Sequence, residues 1–321
     1  MKMSEAIECF MHHISAVRRL SPNTARVYGD TLLQLEQHLQ AQHIDETSEV
    51  SFSVIREWQM HQAERGLKPA TIRKEISGLR AFFRFLQKEG IIQEDVMARI
   101  VAPKLPKHLP VFFREKETEK IYDRTNFPED FAGTRDQLLL RILYETGMRR
   151  SELSTLTESS VDLNALSIKV LGKRDKERFI PIENELARNI KEYLALKKER
   201  VGAKIGNGRG MSDRMVVWSD NLMVRDNGKP MLATDIYKTV RRYMDVFSTA
   251  EKRSPHVFRH SFATQMLNEG ADLDAIKELL GHADLSATEI YTHVTRERLK
   301  EAYKHAHPRA NNNKVKKNTT Y

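Results

Sequence analysis

Apolar residues recur at helical spacing through most of the first hundred positions. Ile7, Phe10, Met11, Ile14 and Val17 form one stripe, the repeat of an amphipathic helix. Ser21-Pro22 opens the next helix, because Ser caps free N–H groups and Pro fits a first turn whose N–H has no partner. Its inward residues are Ala25, Tyr28, Leu32, Leu35 and Leu39. Val54, Ile55 and Trp58 mark a third helix, and Gly66 breaks the chain. A fourth helix follows Pro69, packing Ile72, Ile76, Leu79, Phe82, Phe83 and Leu86, and Gly90 ends it. The pattern predicts a small helical bundle over residues 1–102. Residues 103–110, PKLPKHLP, hold three prolines. That density excludes a regular helix and predicts an extended linker and a domain boundary.

The second part changes period. Glu115–Thr125 and Thr134–Thr146 read as helices, the latter burying Leu138, Leu139, Ile142, Leu143 and Tyr144 and stopping at Gly147. Between Val161 and Ile182 the repeat drops to two: Leu166, Ile168 and Val170 alternate with polar residues, a turn runs from Gly172 to Lys176, and Phe179–Ile182 returns. This predicts a β-hairpin with a basic tip. Leu186–Arg200 and Ala233–Phe247 are helical, the second with Lys238, Arg241 and Arg242 on its polar side. Residues 202–213, GAKIGNGRGMSD, read as a Gly-rich surface loop; the spacing is not that of a Walker loop. Met215–Trp218 reads as a short strand. The expected fold is mainly α with a small antiparallel β-sheet in the second domain.

Three short helices close the pattern. Ser254-Pro255 opens one that buries Phe258, Phe262 and Met266. Asp272 caps another, with Leu273, Ile276, Leu279 and Leu280 inward and Gly281 as its stop. Ser286 and Glu289 form a capping box for the third, with Leu285 and Ile290 as its hydrophobic staple. Together they present His256, Arg259, His282 and Tyr291. A phenol is a weak nucleophile until neighbours accept or favour loss of its proton. Arginine grips phosphate oxygens through paired hydrogen bonds, and histidine moves protons near neutral pH. The set suits attack on a phosphodiester without a metal. His256 and His260 also have a spacing used by zinc ligands, but no third ligand accompanies them.

Charge narrows the partners. Lys and Arg number 53 against 44 Asp and Glu, a net charge of +9, which favours nucleic acid first and an anionic membrane second. Cys9 is the only cysteine, so neither a disulfide framework nor a Cys-based zinc site is available. No apolar run approaches a membrane span and no signal-peptide pattern opens the chain. A cytoplasmic, nucleoid-associated protein is expected.

HVFRHSFAT, LLGHADLS and EIYTHV resemble the carboxy-terminal signature of the tyrosine recombinases, the phage-integrase family, in its Xer-like form. Upstream, Thr146-Gly147-Met148-Arg149-Arg150-Ser151-Glu152-Leu153 resembles the family's T-G-x-R-x-S-E-L box, and the hairpin resembles its G-K-x-x-K-x-R string. The resemblance implies Tyr291 as nucleophile, Arg149, Arg259 and His282 on the phosphate, Lys173 as general acid and His256 as proton carrier, with Glu152 orienting them. Lys176 and Arg178 become supporting phosphate contacts. It implies a two-domain DNA clamp, helical bundle plus α+β catalytic domain, so that the basic face of the fourth helix (Lys68, Arg73, Lys74, Arg80 and Arg84) and Arg241 and Arg242 become DNA contacts.

The catalytic domain is expected over 111–307, its last helix (Leu299, Ala302, Tyr303) docking on a neighbouring protomer. A disordered basic tail, 308–321, would follow. The implied partner is double-stranded DNA with an inverted-repeat core site. The implied assembly is a homotetramer, or a heterotetramer with a second recombinase, using neither metal nor ATP. The role would be Xer-like chromosome dimer resolution, or integration, excision or inversion of a mobile element. Two rivals remain: a type IB topoisomerase, which uses similar chemistry but rotates DNA, and a catalytically idle DNA-binding regulator or excision factor on the same scaffold.

Overall fold

The helical stripes at the start of the chain assemble as a first unit, Met1–His108, and a second unit spans Leu109–Tyr321. The computed structural model describes residues 1–18, 20–105, 113, 115–172, 176–206, 219–248, 254–281 and 303, and all their side chains but those of 115 and 201–206.

In the first unit α1 (Met3–His12) runs into a π-helical turn, His13–Val17, closed by the Arg18 N–H on the His13 carbonyl at 3.0 Å. The wider turn shifts the buried stripe. Ile14 stays inside, but Val17, expected inward, is 67% exposed. α2 (Pro22–Ala41) starts as its sequence requires, with the Ser21 hydroxyl accepting the Thr24 N–H at 3.2 Å. α3 (Phe52–Glu64) and α4 (Pro69–Lys88) complete the bundle. Leu32, Leu35, Trp58, Leu79, Phe82 and Phe83 fill its core.

The second unit is built around α6 (Phe131–Thr146), which follows α5 (Glu115–Tyr122) and is buried along nearly its whole length. It starts at Phe131, ahead of the expected Thr134, because the Asp130 carboxylate caps the Gly133 N–H at 2.7 Å. Polar groups on so buried a helix need partners. Arg135 pairs with Asp136 and Arg141 with Glu145, each at 2.9 Å, and the Tyr144 hydroxyl meets Gln265 at 2.6 Å.

After α7 (Arg150–Thr155) come β1 (Val161–Asp162), β2 (Ser167–Leu171) and β3 (Glu177–Pro181), an antiparallel sheet in the order β1-β2-β3. Ile168 faces Ile180 in the register and both are buried; Val170 faces Arg178. Leu166, expected to start the alternation, precedes β2 at φ 50°. α8 (Asn184–Gly206) runs past the expected end at Arg200 and takes in the first part of the predicted Gly-rich loop. Ala203 and Lys204 favour helix enough to carry it through Gly202. The rest of that loop, and the strand expected at 215–218, lie outside the described residues.

α9 (Ala233–Phe247), α10 (Pro255–Asn268) and α11 (Leu273–Leu280) follow. Ser254 does not cap α10 with its side chain; its carbonyl accepts the Val257 N–H at 2.9 Å instead. Leu273, expected inward, is the first residue of α11 and is 52% exposed. Tyr303 is buried in this unit's own core, its hydroxyl donating to the Glu145 carbonyl at 3.1 Å. No helix among the described residues is long and apolar enough to cross a membrane.

Candidate active site

Gly147 fixes the geometry of the site. It ends α6 in the left-handed region, φ 60° and ψ 14°, where glycine alone sits without strain. A Cβ there would also lie 2.5 Å from Phe262 Cδ1 and 2.9 Å from Leu280 Cδ2. The bare backbone therefore lets the end of α6 press against α10 and α11.

Two residues on, Arg149 is the N-cap of α7. The Glu152 carboxylate accepts its backbone N–H at 2.7 Å and its Nη1 at 2.9 Å. The same carboxylate, 6% exposed, takes a two-pronged contact from Arg178 on β3, Nη1 to Oε1 at 2.9 Å and Nη2 to Oε2 at 2.8 Å. Burial pushes the Glu152 carboxyl upward, but the hydrogen bonds from Arg178 and from Arg149 outweigh it and hold the group below its ordinary range.

The last turn of α11 is the meeting point of three arginines. Arg178 Nε donates to the Leu279 carbonyl at 2.8 Å, Arg259 Nη2 to the Leu280 carbonyl at 2.6 Å, and Arg149 Nη2 to the Gly281 carbonyl at 3.3 Å. Arg259 Nη1 also donates to the Gly147 carbonyl at 2.9 Å. The end of a helix leaves such carbonyls without partners and carries the negative pole of its dipole, so it draws cations. Gly281, at φ 66°, stops the helix there. His282 is the next residue in the chain.

Among the described residues, arginines outnumber carboxylates at this spot. Burial, then the nearby Arg149, push the Arg259 guanidinium down to about 10, so it remains charged at neutral pH. His256, one turn earlier on α10, is held below its ordinary value by partial burial and by Arg150, Arg259 and Arg149. It is therefore neutral at pH 7 and able to accept a proton. An anion placed among these groups would relieve their mutual repulsion.

The structure brings together Arg149, Glu152, His256 and Arg259 from the predicted site, with the partly buried Arg178 beside them. Lys173, His282 and Tyr291 lie outside the described residues. Sequence reasoning missed the role of the α11 carbonyls and the place of Arg150 beside His256. No pattern of side chains signals a backbone acceptor, though the extra Arg after Arg149 was in plain view.

The remaining predicted contacts are spread over surfaces. Lys68, Arg73, Lys74 and Arg80 are exposed along α4, Lys176 is exposed beside the hairpin tip, and Arg241 is exposed on α9. Some of their polar atoms are engaged: Arg80 Nη2 donates to the Ile100 carbonyl at 2.6 Å. Arg242 pairs with the buried Asp136. Among the described residues no cluster of His, Cys, Asp and Glu could hold a metal ion.

Comparison with known families places this geometry. The phage integrase family matches residues 111–298, and the phage integrase N-terminal SAM-like domain matches residues 7–90. The chain belongs to the phage integrase family. It is 33% identical over 325 residues to tyrosine recombinase XerC of Chlorobaculum parvum, covering 95% of this chain and 94% of that protein. It is 35% identical over 304 residues to XerC of Bacillus subtilis, covering 95% and 96%. Tyrosine recombinase XerD of Halalkalibacterium halodurans is 34% identical over 305 residues, covering 95% and 98%. Among solved structures, XerH site-specific recombinase bound to difH substrate is 25% identical, covers 87% of this chain and 78% of that one, and has a TM-score of 0.61. The Tn1549 transposon integrase in complex with a circular intermediate DNA shares the fold at 20% identity, covering 99% of each chain, with a TM-score of 0.68.

Proposed function

We propose that this chain is a site-specific DNA recombinase that cuts and rejoins strands through a 3′-phosphotyrosine intermediate. The observation that carries this reading is the gathering of Arg149 and Arg259 at the end of α11, immediately before His282, with His256 near enough on α10 to feel both charges, in a family whose relatives are tyrosine recombinases.

The chemistry is an ester exchange. The Tyr291 phenolate oxygen attacks the phosphorus and the bond to the 5′ oxygen breaks. His256 takes the phenol proton, and Lys173 returns one to the leaving 5′ oxygen. Arg149 and Arg259 stabilise charge building on the non-bridging oxygens, with a hydrogen bond from His282. Glu152 keeps Arg149 in place. The 5′ hydroxyl of a second duplex then attacks the phosphotyrosine and displaces the phenol. One ester replaces another, so no ATP is consumed. Exchange needs two duplexes with inverted-repeat core sites, and hence a tetramer of this chain or of this chain with a second recombinase. The neighbours solved on DNA, XerH and the Tn1549 integrase, support the duplex as substrate.

The test is covalent trapping. The full chain is incubated with a library of nicked duplexes whose randomised cores lie between inverted repeats, and the covalent adducts are recovered and sequenced. Wild type should form an adduct that Tyr291→Phe does not. Equal trapping by Tyr291→Phe overturns the nucleophile, and no adduct with either protein favours the catalytically idle DNA-binding regulator. Relaxation of a supercoiled circle lacking paired sites would instead make the chain a topoisomerase.

A further inference from the structure

We propose that Arg178 is a positioning residue, not a DNA contact: it locks the Glu152 carboxylate and the last turn of α11 into one block, on which Arg149 and Arg259 take their places. This rests on the recombinase reading above.

The geometry of the side chain argues for a brace. Its guanidinium spends Nη1 and Nη2 on the two oxygens of Glu152 at 2.9 and 2.8 Å, and Nε on the Leu279 carbonyl at 2.8 Å. The side chain is 10% exposed. It therefore joins three elements, β3, α7 and α11. Each of those contacts adjoins one made by Arg149 or Arg259. Glu152 also holds Arg149, and the carbonyl next to that of Leu279 holds Arg259.

The packing leaves little slack. A Cβ on Gly281 would stand 3.1 Å from Arg178 Nη1, so the glycine that stops α11 also makes room for the guanidinium. Swinging Arg178 out to a phosphate would strip a buried carboxylate of its two-pronged partner, an unfavourable exchange. Lysine could supply the charge but not the planar fork. Lys176, by contrast, is exposed and remains suited to DNA.

The two roles make different experimental marks. A phosphate contact contributes to the salt dependence of binding, and its loss lowers the slope of log affinity against log salt by about 0.9. A positioning residue leaves that slope alone and slows the chemical step. A misplacement of about 1 Å costs on the order of 100-fold in rate.

Acidity gives a second mark. Glu152 faces Arg149 from α7, Arg178 from β3 and Arg259 from α10, and α11 contributes its carbonyls. Without Arg178, burial gains weight and the carboxyl titrates higher. The acid limb of the cleavage rate should then move to higher pH. In a Glu152→Gln background that movement should vanish, which separates it from the titration of His256.

The experiment compares full-length wild type, Arg178→Lys, Arg178→Gln, Glu152→Gln and the Arg178→Gln/Glu152→Gln double variant. The probe is the nicked duplex selected by wild-type trapping. Affinity is measured against salt, and the trapping rate is measured at saturating DNA against pH. The expected result has four parts. Affinity and salt slope are unchanged, and trapping by Arg178→Gln is about 100-fold slower. Arg178→Lys falls between the two, and the double variant is no slower than the slower single variant. A salt slope lowered by about 0.9 with an unchanged saturated rate makes Arg178 a phosphate contact and overturns the proposal. Unchanged rate and slope overturn it as well. Should Arg178→Gln fail to fold, Arg178→Lys and Glu152→Gln carry the same comparison. If wild type yields no adduct, the recombinase reading has failed instead.

Discussion

At the scale of single residues, the site depends on how Glu152 and the arginines around it share charge. Glu152 is held below its ordinary value of 4.5 in the folded chain. Its ion pairs thus contribute stability in full above that value, and the contribution is lost as pH falls through the folded pKa. Thermal melts between about pH 5 and pH 2 should show this loss, and Glu152→Gln should flatten it while lowering the melting temperature at pH 7. His256 has the opposite bearing on rate. Its pKa lies below 6.5, so trapping by wild type should be independent of this group at pH 7 and fall only in more acid buffer, where the imidazole is protonated. A trapping rate that falls on passing from pH 6 to pH 8 would contradict the role of His256 as acceptor.

Gly147→Ala tests the backbone. The substitution adds a Cβ 2.5 Å from Phe262 at a positive φ, and should cost about 1–3 kcal/mol. For a unit of this size that is a fall of about 2–4 °C in melting temperature for each kcal/mol.

Arg149, Glu152, His256 and Arg259, which the structure brings together, stood out in the sequence because few residue types suit phosphate and proton chemistry. Arg178 was legible as a basic residue but not as a brace. Its acceptors lie 26 and 101 positions away, and one of them is a backbone oxygen.

At the scale of elements, periodicity located the helices and missed their irregularities. The stripe through Ile14 was visible, whereas the π turn that exposes Val17 leaves no mark on apolar spacing. The break expected after Arg200 failed because one glycine is a small cost against a run of helix formers. The polar faces now divide by what they touch. On α4, Lys74 is exposed; Lys74→Ala should weaken binding to any duplex and lower the salt slope by about 0.9. On α9, Arg242 is paired with buried Asp136. Arg242→Ala should therefore lower the melting temperature, measured by calorimetry, with the salt slope of DNA binding unchanged.

At the scale of the whole molecule, each of the two units has its own apolar core, and the net charge of +9 favours a polyanion. If binding neutralises 6–10 phosphates, affinity for a random duplex should drop by about 10³–10⁵ between 50 and 200 mM salt. Sulfate should raise the melting temperature of the free chain, because it relieves the repulsion at Arg149 and Arg259, and Arg259→Ala should remove that effect.

The buried phenol of Tyr303 has a consequence for reach. It moors the chain to the core at one point, and Gly281 moors it at another through the Arg149 bond. Tyr291 falls between them in the sequence. Ten links separate Tyr291 from Gly281, a backbone contour of at most about 35 Å. If Tyr291 is the nucleophile, any phosphorus it attacks, on its own duplex or one held by another copy, must lie within that contour extended by the length of the tyrosine side chain.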